Sequence, residues 1–465
     1  MRMLRMEMKP LVPAGVFKDT FPPRGAAPDG REKTIPARAF RDLRRRPRDH
    51  QTEAIMTTQD RQCPCHSSTP SPSWSTIGAP RPLGAVAELL ALAARPEVIS
   101  FGGGLPSPDG FPYKAIEEAC DRVLETASAR ALQYSGAQGI PELREEIAKF
   151  ESTRGVETRP EEVLVVSGSQ QALDLVCRAL VEPGDRILVE CPTYLGALDA
   201  FRLSHPEILS LPADEHGLVP EQMGEECRGA KFAYVMPTFQ NPTGLTIDEG
   251  RREALARKAR ELDLWLLEDN PYGELFYGEA PAMSMRGYAR ERTITLGTMS
   301  KILAPGLRLG YVLAPEHVIR SLTALKTSMD LHSSTFTQMI VAEVMRSGLL
   351  KEHLPFVRNI YKHKAGVMLE ALERFMPRHP GVSWTHPTGG MFIWLNLPEG
   401  IDAEKLLRRV LASDVPVGFV PGEHFYACKK EKNHARFSFV TVPEERIIRG
   451  VESVAKALKA MIDEG

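Results

Sequence analysis

The segment Thr298-Met299-Ser300-Lys301-Ile302-Leu303-Ala304-Pro305-Gly306-Leu307-Arg308 places a lysine just after a β-rich apolar run, among hydroxyls and ahead of Pro-Gly. A lysine so placed is partly desolvated, its pKa falls, and the neutral amine can attack a carbonyl. Arg308, as a planar fork, and the hydroxyls of Thr298 and Ser300 are donors suited to a phosphate. Ser-Lys alone is common; the Pro-Gly and the arginine at these offsets make the segment specific. Ser167-Gly168-Ser169-Gln170-Gln171 follows an apolar run and opens a helical pattern, with Ser169 as the expected N-cap. Free backbone N–H groups there face an anion, although a plain capped helix would read the same way. Glu268-Asp269-Asn270-Pro271-Tyr272 ends a further apolar run, at the sheet edge where open α/β folds bind ligands. Asp269 is then either an ordinary turn former or a carboxylate that keeps a pyridine nitrogen protonated.

The elements that must position these residues are short. The runs Val163–Val166, Arg186–Val189, Phe232–Met236, Leu264–Leu267, Thr293–Leu296 and Leu309–Leu313 alternate with longer helical patterns. Continuous apolar runs between helices predict a buried, mostly parallel sheet. After the first run, Ala172, Val176, Ala179 and Leu180 recur at helical spacing until Pro183-Gly184 stops the element. A second helix is expected from Thr246 to about Leu262, with Leu255 and Leu262 on one face and Arg/Glu on the other. Beyond residue 330, helical stretches over Ser333–Ser347 and Leu350–Phe375 lead to strands at Met391–Leu395, Val417–Val420 and Arg436–Val440. That change of character predicts a separate α+β domain.

The chain has 465 residues, 43% apolar and 25% charged, with a formal net charge of −2. This balance gives no reason to expect nucleic acid or a membrane surface as partner. No run approaches the roughly 20 apolar residues that span a bilayer, and no apolar h-region marks a secretory signal. Seven scattered cysteines, an odd number, suit a reducing, cytoplasmic compartment. Cys63-Pro64-Cys65-His66 resembles half a zinc site without the second cluster, so no metal is expected. The first 55 residues carry 13 Lys/Arg against 7 Asp/Glu, a net of +6, whereas the remainder carries 45 against 53. With Arg44, Arg45, Arg46 and Arg48 in one run and prolines without hydrophobic periodicity, residues 1–78 are expected to be disordered. An early start, with Met56 as the later one, is the plain explanation; a targeting segment and a nucleic-acid-binding arm are the others. A helix is expected over 85–92.

Asn241-Pro242-Thr243-Gly244, Asp269 with Tyr272, and Ser300-Lys301 with Arg308 occur in this order, each after an apolar run. Together they resemble the fold-type-I aminotransferases that use pyridoxal 5′-phosphate, the class I/II family, over residues 83–465. Gly102-Gly103-Gly104-Leu105-Pro106 and Gln133-Tyr134 narrow the resemblance to the 2-aminoadipate, kynurenine and aromatic or branched-chain aminotransferase branch. The resemblance implies a large cofactor domain over 106–330 and a small α+β domain over 331–465. Residues 79–105 would form an arm contributing to the small domain.

It also implies roles. Lys301 would carry the cofactor as a Schiff base and shuttle the proton, and Asp269 would pair with the pyridinium nitrogen. Asn241 and Tyr272 would bond the phenolic oxygen, and Tyr194 would stack on the ring. Ser169, Gln170, Thr298, Ser300 and Arg308 would hold the phosphate, with Tyr134 reaching across a homodimer to its neighbour's. Arg436, placed just before an apolar strand, would grip the substrate α-carboxylate, and Gly103 would let backbone lie close to substrate. The expected reaction is ping-pong transfer of an amino group from an apolar, aromatic or 2-aminoadipate-like L-amino acid to a 2-oxo acid such as 2-oxoglutarate. One departure bears on substrate: Ala87, in Val86-Ala87-Glu88-Leu89-Leu90, stands where aminoadipate-preferring relatives carry an arginine for a distal carboxylate. This favours apolar or aromatic donors, unless Arg81 compensates. Rival readings are a transcription regulator with an aminotransferase-like domain, which needs a helix-turn-helix before residue 79, and a lyase or decarboxylase on the same scaffold.

Overall fold

The apolar runs become strands of one seven-stranded sheet: β1 (Val163–Val166), β2 (Arg186–Val189), β3 (Glu207–Ser210), β4 (Phe232–Val235), β5 (Trp265–Asp269), β6 (Thr293–Thr298) and β7 (Gly310–Leu313). The computed structural model describes residues 73–75, 77–78 and 95–464. The expectations for residues 1–72, for Cys63-Pro64-Cys65-His66 and for the helix over 85–92 with Ala87 lie outside them.

The sheet order is β1-β7-β6-β5-β4-β2-β3. Strands β6, β5, β4, β2 and β3 pair in parallel, while β7 is antiparallel to both β6 and β1. Six strands therefore run one way, and their C-terminal ends gather at one edge, together with the N-terminal end of β7. Two strands outrun the apolar pattern. Pairing of Asp269 with Leu296 and of Gly310 with Thr298 carries β5 and β6 on to Asp269 and Thr298, which makes both residues strand-terminal. The edge strand β3 was not anticipated: only Ile208 and Leu209 are apolar, and the strand is half exposed.

Helices α1 (Tyr113–Ala131), α2 (Pro141–Ser152), α3 (Ser169–Leu180), α4 (Leu195–Arg202), α5 (Glu249–Glu261), α6 (Arg286–Ala289) and α7 (Glu316–Asp330) accompany this sheet. In α3, Ala172, Leu173, Leu175 and Val176 are buried, while Ala179 is exposed. Helix α5 starts later than Thr246. The Asp248 side chain caps it by accepting from Arg251 N at 2.8 Å, whereas the Thr246 hydroxyl accepts from Phe239 N. Arg252 is not on a solvated face of α5: it is fully buried and donates to Ile247 O, Met283 O, Pro237 O and Thr238 Oγ1.

Next come α8 (Thr335–Arg346), α9 (Leu349–Phe375), α10 (Ala403–Leu411) and α11 (Glu444–Glu464). A second sheet is formed by β8 (Ser383–Trp384), β9 (Phe392–Asn396), β10 (Val420–Pro421) and β11 (His434–Ser438), antiparallel in the order β8-β9-β11-β10. The single strand expected over 417–420 is two. Val417–Gly418 pairs in parallel with Ile99–Ser100, and beyond Phe419 the chain changes partner to β11. One apolar core runs from Leu164, Val166 and Leu267 to Phe392, Leu395 and Phe437, so both sheets share it. Helix α8 packs with α1 and α2 around Leu143, Ile147 and Val341.

Candidate active site

The edge where the strand ends gather opens into a cavity of about 350 Å³. Its lining brings together Ser169, Gln170, Tyr194, Asn241, Asp269, Tyr272, Thr298, Ser300, Lys301, Arg308 and Arg436, which come from segments spread over 268 positions of sequence. The sheet topology explains most of the convergence: the segments of the large sheet either leave one of its six co-directional strands at this edge or, like Arg308, enter β7 there, while Arg436 comes from β11 of the second sheet.

Lys301 follows the turn after β6, where Ser300 N donates to Thr298 Oγ1 at 3.2 Å. Its Nζ donates to Gly104 O at 2.7 Å and stands 6.0 Å from the centre of the Tyr272 ring. Burial, helped by Arg436 and Arg308 and opposed by Asp269, lowers its pKa to about 8. Asp269 ends β5. Its Oδ2 accepts from Tyr234 Oη at 2.8 Å, and its buried Oδ1 has no partner. Burial pushes this carboxyl up to about 6, with Glu268 adding to the rise and Tyr234 and Lys301 opposing it.

The first turn of α3 is built around glycine. Gly168 has φ 91° and ψ 159°, a region essentially reserved for glycine. A Cβ there would lie 2.7 Å from Arg308 Nη2. Gly168, not Ser169, occupies the N-cap, and Ser169 is the first helical residue; the loop needs a left-handed residue at the point where a side-chain cap was expected. Arg308, itself left-handed at φ 48°, lies across the loop and donates to Ser167 O at 3.1 Å. The result is a helix N-terminus with a guanidinium beside it, two features that favour an anion. Gln170 Nε2 is turned to Gly196 O at 2.8 Å.

Arg436 lies within β11, not ahead of it, paired in register with Trp394 and Val420. Buried, it donates from Nη1 to Asn241 Oδ1 at 2.8 Å and from Nη2 to Gly102 O at 2.6 Å, while Nε has no partner. Its guanidinium lies 4.4 Å from the Phe392 ring centre and 5.1 Å from that of Phe425. Burial lowers its pKa to about 10. The hydroxyls of Tyr194 and Tyr272 are both raised by burial.

Two expected residues are not in the lining. Tyr134 is 76% exposed and packs edge-on against His332. Gly103 lies between Gly102 and Gly104, which do line the cavity, and a Cβ on it would meet nothing nearer than Leu105 at 3.7 Å. The close approach belongs to Gly104, where a Cβ would stand 3.3 Å from the Phe392 ring. The sequence reading missed Tyr234, the carbonyls of Gly102 and Gly104, and the apolar walls Leu105, Leu195, Met236 and Val420. The only available signal for Tyr234 was one hydroxyl inside the continuous run Phe232–Met236.

These groups fit pyridoxal phosphate. The phosphate would have a helix N-terminus and Arg308, the carbonyl an amine of lowered pKa, and the ring nitrogen an unpartnered carboxylate oxygen.

Residues 97–454 match the family model described as Aminotransferase class I and II. The aromatic-amino-acid aminotransferase 1 of Thermococcus litoralis is 44% identical over 383 residues, 80% of this chain and 91% of that protein. The kynurenine aminotransferase of Pyrococcus horikoshii, solved in complex with PMP, is 40% identical, with a TM-score of 0.80, covering 84% of this chain and 97% of that one. The alpha-aminoadipate aminotransferase of Thermus thermophilus, solved with N-(5′-phosphopyridoxyl)-L-leucine, is 39% identical, with a TM-score of 0.75, covering 82% and 95%. The chain thus belongs to the class I and II aminotransferases, fold-type-I enzymes that use pyridoxal phosphate to move an amino group from an amino acid to a 2-oxo acid.

Proposed function

We propose that this cavity is the transamination site and that its preferred donors are aromatic or large apolar L-amino acids, with 2-oxoglutarate as acceptor. The observation that carries the reading is the convergence of Lys301, Asp269, Arg308 and Arg436 on one cavity whose remaining wall includes Leu105, Leu195, Met236 and Val420. Among the described lining residues the cations are Lys301, Arg308 and Arg436, and each already has a task. No further cation of the lining faces a distal carboxylate, which supports an apolar donor. The names of the relatives, for aromatic amino acids, kynurenine and aminoadipate, support the same range of sizes.

When bound, pyridoxal phosphate supplies the carbonyl that takes the amine and the ring that takes up the electron pair left at Cα. The protein's own groups do the rest. At pH 7.5 a pKa of about 8 leaves roughly a quarter of the Lys301 amine neutral and able to attack. Lys301 Nζ, when free in the cavity, would be the base that removes the substrate's Cα proton and later returns it. Asp269 Oδ1 offers negative charge to the ring nitrogen, Asn241 and Tyr272 donate to the phenolic oxygen, and Tyr194 covers a ring face. Ser169, Gln170, Thr298, Ser300 and Arg308 take the phosphate. Arg436 exchanges Asn241 Oδ1 and Gly102 O for the two oxygens of the substrate carboxylate, as a fork suits.

The proposal includes a homodimer. Tyr134, at 76% exposed, with Leu132 and Leu331 also exposed, forms a surface that a second copy would cover, bringing Tyr134 to the neighbour's phosphate. It also includes the division into an arm over 79–105, a large domain over 106–330 and a small domain over 331–465, although the packing of α8 favours a boundary beyond Arg346. Cytoplasmic placement is supported by five free cysteines among the described residues. No helix of the described residues is long and apolar enough to cross a membrane.

The test is the visible spectrum of the purified protein. A yellow band that bleaches with phenylalanine or leucine and returns with 2-oxoglutarate supports the reading, and kcat/KM across donors ranks them. A clear preference for 2-aminoadipate would overturn the substrate assignment. No band after adding pyridoxal phosphate would overturn the role of Lys301.

A further inference from the structure

Asp269 and its neighbour Glu268 are both buried at the end of β5, but they are bonded differently. Glu268 has both oxygens satisfied: Oε1 accepts from Met285 N at 3.0 Å, and Oε2 accepts from Ser284 Oγ and Thr295 Oγ1. Asp269 has one: Oδ2 accepts from Tyr234, and Oδ1 is left to the cavity. Tyr234 lies on β4, paired in parallel with β5 and opposite Leu267, so its side chain reaches two residues along to the strand end. Its ring is fixed by Phe201, edge-on at 5.3 Å, and the residue is fully buried among apolar neighbours. A hydroxyl is retained there in a strand otherwise made of Phe, Ala and Val.

We propose that Tyr234 is the positioning residue of Asp269: it anchors one carboxylate oxygen so that the other is presented, ionised, to the ring nitrogen of the cofactor. This rests on the reading above that Asp269 faces that nitrogen. The hydroxyl fixes the carboxylate rotamer, because an anchored Oδ2 leaves Oδ1 a single direction. It also opposes the burial and the Glu268 charge that disfavour the ionised form. The other titratable groups around the pair are Lys301, which favours the charged carboxylate, and Tyr194 and Glu190, which face Tyr234. Without the hydroxyl, Asp269 titrates at higher pH, and its partner nitrogen loses its charge-stabilising contact.

Tyr234→Phe tests this, because it removes one oxygen and keeps the packing. The dissociation constant of pyridoxal phosphate is measured by equilibrium dialysis from pH 5.5 to 8.5, alongside the melting temperature of the full-length protein without added cofactor. The expected result is weaker binding at pH 8, by about tenfold or more for a hydrogen bond to a charged group. The sign for melting follows from the raised folded pKa: the stability tied to protonated Asp269 is lost as pH rises through that pKa. The variant should therefore match the wild type at pH 5 and melt lower at pH 8. Equal binding and equal melting at both pH values would overturn the proposal and leave Tyr234 as a core aromatic. Asp269→Ala separates the two levels. If Ala weakens binding and Phe does not, only the Tyr234 inference fails; if neither does, the cofactor reading of Asp269 fails first.

Discussion

Gly168→Ala is the substitution in which a single methyl group should dismantle the phosphate end of the cavity. At φ 91° and ψ 159° the residue sits where only glycine is at ease, so any side chain costs about 1–3 kcal/mol of backbone strain. The added Cβ would also fall 2.7 Å from Arg308 Nη2. The guanidinium must then leave Ser167 O, a loss of about 1 kcal/mol. Together these give a destabilisation of about 2–4 kcal/mol, readable as a shift in the urea midpoint at unchanged slope. The functional consequence is more specific than the stability loss. With Arg308 displaced, affinity for pyridoxal phosphate should fall by about tenfold or more, since charged hydrogen bonds contribute roughly 1.5–3 kcal/mol. Affinity for pyridoxal, which lacks the phosphate, should change little. Arg308→Ala should show the same pattern without the backbone strain. If Gly168→Ala weakens pyridoxal and pyridoxal phosphate equally, the loop is not the phosphate site and the argument from its geometry is wrong.

Four further outcomes follow from the same cavity. Lys301→Ala should lower kcat by roughly 10²–10⁴, the range for a lost general base, and borohydride reduction should no longer fix cofactor to the peptide carrying residue 301. In the wild type the rate of cofactor attachment should rise with pH through about 8, where half of the Lys301 amine is neutral, and level off roughly a unit above it. Arg436→Ala should cut kcat/KM for every amino donor by about 100-fold or more, two charged hydrogen bonds being lost, without changing the rank order of donors. Asp269 goes from an ordinary 3.8 to about 6 in the fold, so the full-length protein without added cofactor should lose on the order of 3 kcal/mol between pH 4 and 6 from this group. Asp269→Asn should remove that slope, and a variant with the wild-type pH profile would refute it.

The sequence made the site more legible than the fold's edges. Lys301, Arg308, Asp269 and Asn241 are readable because chemistry restricts residue type at fixed offsets, and all four line one cavity. The strand ends were misplaced because the pattern follows hydrophobicity, whereas the ladder of β5 and β6 continues through Asp269 and Thr298. Strand β3 escaped because this edge strand fully buries none of its residues and holds only two apolar ones, Ile208 and Leu209, too short a run to stand out. Serine favours caps, so local pattern puts the N-cap at Ser169; the need for glycine at 168 comes from Arg308, 140 positions away, and no local pattern carries it. Tyr234 is the same kind of case. Its hydroxyl has meaning only once β4 and β5 are adjacent, so a tyrosine in an apolar strand reads as core until its partner is placed.

The charges of the cavity support one ligand class more narrowly than any single residue does. Its lining carries Lys301, Arg308 and Arg436 against Asp269 alone, an excess of positive charge in a buried place. Such an excess is costly in low dielectric: burial lowers the pKa of both Lys301 and Arg436, and Arg436 and Arg308 lower that of Lys301 further. The cations are also spread among elements: Arg308 just before β7 and beside the start of α3, Lys301 after β6, Arg436 on β11 of the second sheet. A ligand that balances them must carry negative charge at two separated points, with an electrophile between. A phosphate at one end, a carbonyl in the middle and an amino acid's carboxylate at the other meet that requirement. The cofactor alone supplies only part of it. Substrate carboxylate should therefore supply the charge that Arg436 lacks, and donors without it, such as phenylethylamine beside phenylalanine, should lose kcat/KM by about the factor that Arg436→Ala costs.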